Sequence, residues 1–161
     1  MQAQKAEHNP RMKWIKRWLP VIFWAIAISI FSTHDFTADD TGRFLIPLLH
    51  SLFPQASMQA LERMHFFIRK AGHFSEYFVL SLLILRGIRA GRSAMRFAWM
   101  AITLLAVASY ASLDEFHQRF VVGRTPAVGD VVLDTTGGAI ALILVGLIFA
   151  LSRRSRTSTQ T

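Results

Sequence analysis

The chain of 161 residues contains no cysteine. That excludes structural disulfides, a thiol nucleophile and thiolate metal ligands, and leaves an external location open. Charge is scarce and one-sided: 17% of residues are charged, with ten acidic against eighteen basic. There is no HExxH motif of the kind that holds catalytic zinc, and no serine in the setting of an activated nucleophile. No internal repeat is long enough to suggest an inverted-repeat transporter, and low complexity is confined to a short Ser/Thr-rich C-terminus. What the chain does have is apolar residues, 52% of the total, so it reads as one small integral membrane domain and not as a soluble core with a tail.

Four apolar runs are visible, Trp14–Ser32, Phe66–Leu85, Phe97–Leu113 and Val131–Leu151. Each is near the ~20 residues that cross a ~30 Å hydrocarbon layer, which predicts a four-helix all-α bundle. The second is the weakest, because its uncharged part, Tyr77–Leu85, is too short to cross unless the turn bearing His73 and Glu76 is included. The fourth likewise takes in Asp134. Domain limits follow as a basic tail over 1–13, a transmembrane domain over 14–151 and a second basic tail over 152–161. Ala25-Ile-Ala27 in the first run resembles a signal-peptide cleavage site, but apolar residues continue to Phe31, so a retained anchor is expected.

Twelve of the eighteen basic residues fall in the N-terminal tail, the connection at Arg86–Arg96 and the C-terminus, with Glu7 as the acid among them. The other side carries nine of the ten acids. By the positive-inside rule both termini are cytoplasmic, in a multi-pass membrane protein whose three acidic patches face the external leaflet. The same asymmetry accounts for the basic charge without a nucleic-acid partner. Between the first two runs, Asp39 and Asp40 precede Phe44–Leu52, with Pro47 and Pro54 expected to break regular structure. A helix restarts after Ser57, a predicted N-cap. Its apolar face, Met58, Leu61, Met64, His65 and Ile68, either lies on the outer surface, continues into the second span or packs on the bundle.

Three patches invert the charge of the chain beside these runs: Lys70 to Tyr77, Asp114 to Gln118, and Asp130 to Asp134. Ionisable groups at membrane depth are costly, so they mark a site. Lys70, His73, Glu76 and Tyr77 share roughly a third of one helix circumference. Tyr110, Asp114, His117 and Gln118 share a face of the next, with Glu115 pointing elsewhere. Asp130 and Asp134 lie one turn apart, with Gly137 and Gly138 below them, small residues that allow a neighbouring helix to approach closely. Three uses compete. One is a packing network of ion pairs such as Lys70 with Asp134 or Arg124 with Asp130. Another is a Zn²⁺ or Mn²⁺ site drawing on His73, Glu76, His117, Asp114 and Asp130. The third is an anion-headgroup site in which Lys70, Arg119 and Arg124 neutralise a phosphate.

Taken together, Lys70-x-x-His73-x-x-Glu76-Tyr77, Tyr110-Ala-x-x-Asp114-Glu115-x-His117-Gln118-x-Phe120, then Arg124 and Asp130-x-x-x-Asp134-x-x-Gly137 resemble the VanZ-like family over residues from about 10 to 151. The resemblance implies a membrane protein of the kind linked to lowered teicoplanin susceptibility. The phosphotransbutyrylase label carried by some relatives finds no phosphate-cradling glycine loop or CoA site here.

The expected function is binding of, or action on, an envelope lipid or lipid-linked precursor, and catalysis is left open. His73, Glu76, Asp114 and His117 are the candidate catalytic or proton-transfer groups. Lys70, Tyr77, Glu115, Gln118, Arg124, Asp130 and Asp134 are the candidate substrate contacts. No cofactor is expected, with zinc or manganese as the alternative. A proton-coupled transporter or flippase component and a structural accessory subunit are the competing functions.

Overall fold

A computed structural model describes residues 10–32, 38–120 and 127–158, with the backbone alone for 10 and 154–158. The described residues form five helices and no strand: α1 (Pro10–Phe31), α2 (Ala38–Leu52), α3 (Met58–Arg89), α4 (Phe97–Gln118) and α5 (Val128–Ser158). Three of these are long and apolar enough to cross a membrane, over Arg11–Phe31, Phe97–Gln118 and Val128–Arg153. The second apolar run of the sequence is not among them. It is part of α3, a single helix of 32 residues into which the amphipathic segment after Ser57 runs without a break.

Ser57 starts α3 as the sequence predicts, its Oγ accepting the Ala60 N–H at 3.3 Å. The helix closes at Ala90 and Gly91, both with positive φ, while Arg86 and Arg89 in its last turn complement the negative end of the dipole. Pro47 does not break α2 but lies inside it. Its ring is on the exposed side of a surface helix, where one missing backbone hydrogen bond is made good by solvent. Pro54 sits in the turn between α2 and α3.

The least apolar of the long helices is the central one, since α3 touches each of the other four and lies most extensively along α5. A helix enclosed by protein needs no lipid-facing surface and can carry polar groups that an outer helix cannot. The contacts also fix direction. Trp18 of α1 lies against Gly87 of α3, and Trp24 donates to the Glu76 carbonyl at 2.9 Å, so α1 and α3 are antiparallel. Lys70 meets Asp130 and Arg89 stacks on Phe149, so α3 from Lys70 onward runs parallel to α5. Glu115 of α4 reaches Ala127 while Met100 reaches Gly146, which makes α4 antiparallel to α5.

Ile28, Tyr77, Leu80, Ile84, Val107 and Ala111 form the apolar core where α1, α3 and α4 meet. Glycine permits the closest approach: a Cβ on Gly137 would collide with the backbone carbonyl of Phe74, and one on Gly138 would lie 2.8 Å from Val107 Cγ1. Ser81 donates across the interface to the Gly138 carbonyl at 3.0 Å. Outward, α1, α4 and α5 expose Phe23, Leu105, Ile143 and Leu147, an apolar band suited to lipid and unsuited to water.

Candidate functional site

Antiparallel packing separates the charges by position along the bundle. Lys13, Lys16 and Arg17 of α1 adjoin Arg86 at one end, with Arg89 and Arg153 beside them on α3 and α5. At the other end the acids of α3, α4 and α5 converge: Asp114, Asp130, Glu76 and Glu115 are all close enough to act electrostatically on Asp134. The three sequence patches therefore form one layer.

Asp114 is its best-satisfied member. It is buried, and its Oδ2 accepts from Ser32 Oγ at 2.8 Å, Gln118 Nε2 at 3.1 Å and Tyr77 OH at 3.3 Å. Donors from α3, α4 and the turn just after α1 thus converge on a single oxygen, which fixes the carboxylate and ties three helices together. Ser32 was not singled out from the sequence. The polar residue that ends an apolar run is the one signal that pointed to it. Tyr110 anchors the same corner one turn lower, its hydroxyl 2.6 Å from the Ala25 carbonyl, to which it donates, and 2.8 Å from Ser29 Oγ.

Two further pairs link α3 to α5. Lys70 Nζ donates to Asp130 Oδ1 in a partly exposed ion pair and also lies 5.3 Å from the centre of the Phe66 ring. His73 Nδ1 lies 3.9 Å from Asp134 Oδ1, beyond hydrogen-bond range. Asp134 is 3% exposed, and that oxygen is buried without a hydrogen-bond partner among the described residues. Lys70 thus pairs with Asp130, and Asp134 faces an imidazole instead of the lysine.

Glu115 and His117 exchange the positions expected of them. Glu115 is buried and its Oε1 accepts the Ala127 N–H, holding a carboxylate at the N-terminus of α5, where the helix dipole favours it. His117 is exposed, apart from the layer. The reason is that α4 is covered by both α3 and α5, so its buried arc is Ala111, Asp114, Glu115 and Gln118, rotated toward Glu115 from the stripe drawn through Tyr110, Asp114, His117 and Gln118. Glu76 is partly buried on α3. Arg119 is exposed, 5.8 Å from the centre of the Phe116 ring. Arg124 lies outside the described residues. No three His, Asp or Glu side chains among the described residues are grouped as metal ligands.

A bundle of apolar helices closed around a charged layer at one end defines a class, that of helical membrane proteins with a buried polar site. The VanZ/LLP1 family model matches residues 17–149, and the chain belongs to that family. Neither the curated proteins nor the solved structures contain a match to it.

Proposed function

We propose that this protein crosses the bacterial cytoplasmic membrane four times, with both termini in the cytoplasm, and that its acidic layer faces outward to bind or act on an envelope lipid or lipid-linked precursor. Support for the fourth crossing comes from α3: Lys70–Arg89 runs beside the apolar length of α5 and is about 29 Å long at 1.5 Å per residue. The orientation follows from the basic end of the bundle, which belongs in the cytoplasm. The amphipathic α2 and the first turns of α3 then lie at the outer surface.

The observation that carries the functional reading is the convergence of five carboxylates with Lys70 and His73 on three helices, at the end opposite the basic cluster. Packing alone does not call for so many ions in so small a bundle. Lys70, with Arg124, is the contact for an anionic headgroup, and Asp130 holds the lysine ready. Asp114 is a fixed acceptor for a ligand hydroxyl or amide. His73 and Asp134 form the proton-handling pair, since a buried carboxyl beside an imidazole changes charge at little structural cost. The same pair favours a second reading, a proton-coupled transporter or flippase component.

Extraction and mass spectrometry of the lipids that co-purify with the protein test the first reading. A polyprenyl-linked or other phosphate-bearing envelope lipid is expected with the wild type and absent from Lys70→Met and Asp114→Asn proteins of equal abundance. Identical lipid profiles in all three would overturn it. A change of teicoplanin susceptibility on deletion is the corresponding expectation in cells.

A further inference from the structure

The basic end of the bundle holds a cavity of its own. About 460 Å³ in volume, it lies between the last turn of α3, the following connection and the far end of α5, lined by Arg89, Ser93, Ala94, Ile148, Phe149 and Arg153 with Ser152. None of its lining residues among those described is acidic. Arg89 is held rigidly at its wall: the guanidinium carbon lies 4.3 Å from the centre of the Phe149 ring, and Nη2 donates to the Arg92 carbonyl at 2.9 Å. Nε, by contrast, is buried with no hydrogen-bond partner among the described residues. An arginine carries five N–H donors in a fixed fork, more than the one bond to the Arg92 carbonyl uses, and an anion suits them as acceptor.

The position of the cavity identifies the ligand. The apolar length of α5 ends at Arg153, and Ile148 and Phe149 lie about one turn further in. One wall is thus at headgroup depth and the other at the start of the hydrocarbon. Beside the apolar wall, Leu147, Ile148 and Leu151 are all more than half exposed and continue it onto the lipid-facing surface of α5. A free anion has no use for such a wall, and a neutral lipid has none for two arginines.

We infer that this cleft binds the headgroup of an anionic glycerophospholipid, with Arg89 and Arg153 on its phosphate and Ile148 and Phe149 on the first methylenes of an acyl chain. The site is separate from the acidic layer and stands whatever that layer does. Bound lipid would tie the ends of α3 and α5 together and fix the depth of the bundle in the leaflet.

Native mass spectrometry of the full chain in detergent, with dioleoylphosphatidylglycerol, dioleoylphosphatidylcholine or inorganic phosphate as probe, tests this. Phosphatidylglycerol should be retained over phosphatidylcholine and should not be displaced by phosphate. Arg89→Gln and Arg153→Gln should each weaken its retention about fivefold, the worth of one cation at the membrane surface. Arg96→Gln removes a cation at the same end, outside the cavity and near Trp99, and should leave retention unchanged. Equal weakening by Arg96→Gln would show diffuse attraction and overturn the site, as would equal retention of phosphatidylcholine or displacement by phosphate. If Arg89→Gln does not fold, the exposed Arg153 decides: unchanged retention in Arg153→Gln overturns the proposal.

Discussion

Two stretches of the α3–α5 interface are held together by different physics. At Gly137 and Gly138 the helices are close because glycine allows it, and the contacts are Gly137 against the Phe74 backbone, Gly138 against the Ser81 side chain and the serine hydrogen bond to the Gly138 carbonyl. A turn or two nearer the N-termini of the same helices, the contacts are the Lys70–Asp130 ion pair and the apposition of His73 and Asp134. The first stretch is what a stable bundle requires. The second keeps a carboxylate oxygen buried and, among the described residues, without a hydrogen-bond partner, a cost that good packing at the first stretch can carry. Substitutions should therefore separate the two: changes at the glycines should cost folding, and changes in the polar layer should cost function more than folding.

The largest effect is expected at Gly137. Gly137→Val places side-chain atoms on the Phe74 carbonyl, a backbone group that cannot turn aside, and should lower stability in detergent by about 3 kcal/mol or abolish expression. Gly138→Ala meets the Val107 side chain, which can shift, and should cost less. Equal thermal stability of both variants and wild type would mean that the glycines do not set the helix spacing.

Asp114→Ala comes next. It leaves three donors without their shared acceptor and should cost about 2 kcal/mol in a thermal melt. The exposed His117→Ala should be neutral in the same assay. Lys70→Met removes a partly exposed ion pair worth about 1 kcal/mol or less, so the bundle should melt nearly as wild type. A melt as low as that of Asp114→Ala would show that Lys70 also supports Asp134.

The smallest effect concerns α2, outside the membrane-spanning lengths. His65 is buried on α3 beneath Gly42, its Nε2 3.0 Å from Thr41 Oγ1. Burial, and then the charge of Arg69, lower its pKa below the ordinary 6.5. The folded state thus holds His65 neutral where the unfolded chain would protonate it, so docking of α2 is at full strength above 6.5 and weakens as pH falls through and below that value. The protection of α2 amides, taken relative to the intrinsic exchange rate at each pH, should fall between pH 7.5 and pH 5.5 in the wild type but not in His65→Asn. The same loss of protection in both would assign the effect elsewhere.

Several of these features were legible in the residues. Ser57 announces the start of α3, the three patches announce the polar layer, and Gly137 and Gly138 announce a close approach. What sequence could not supply was the neighbour. A helical wheel gives the angle between Asp114 and Glu115 but not that α4 is covered from two sides, which turns Glu115 in and His117 out. Pairing also depends on the axial register of two helices far apart in the chain, so Lys70 could not be matched to Asp130 in preference to Asp134. The crossing proposed for α3 is the hardest to read for the same reason: the helix touches each of the other four, so its polarity answers to them and not to lipid.

That crossing is what the account rests on, and the absence of native cysteine makes it directly testable. Single cysteines can be placed at the exposed positions Gln59, in the first turn of α3, and Arg92, just past its end, and an impermeant maleimide applied to intact spheroplasts reports the side of each. Labelling of Gln59→Cys, with Arg92→Cys labelled only after permeabilisation, is the predicted result. Labelling of both, or protection of both, from the outside would show that α3 does not cross and would contradict an outward-facing acidic site.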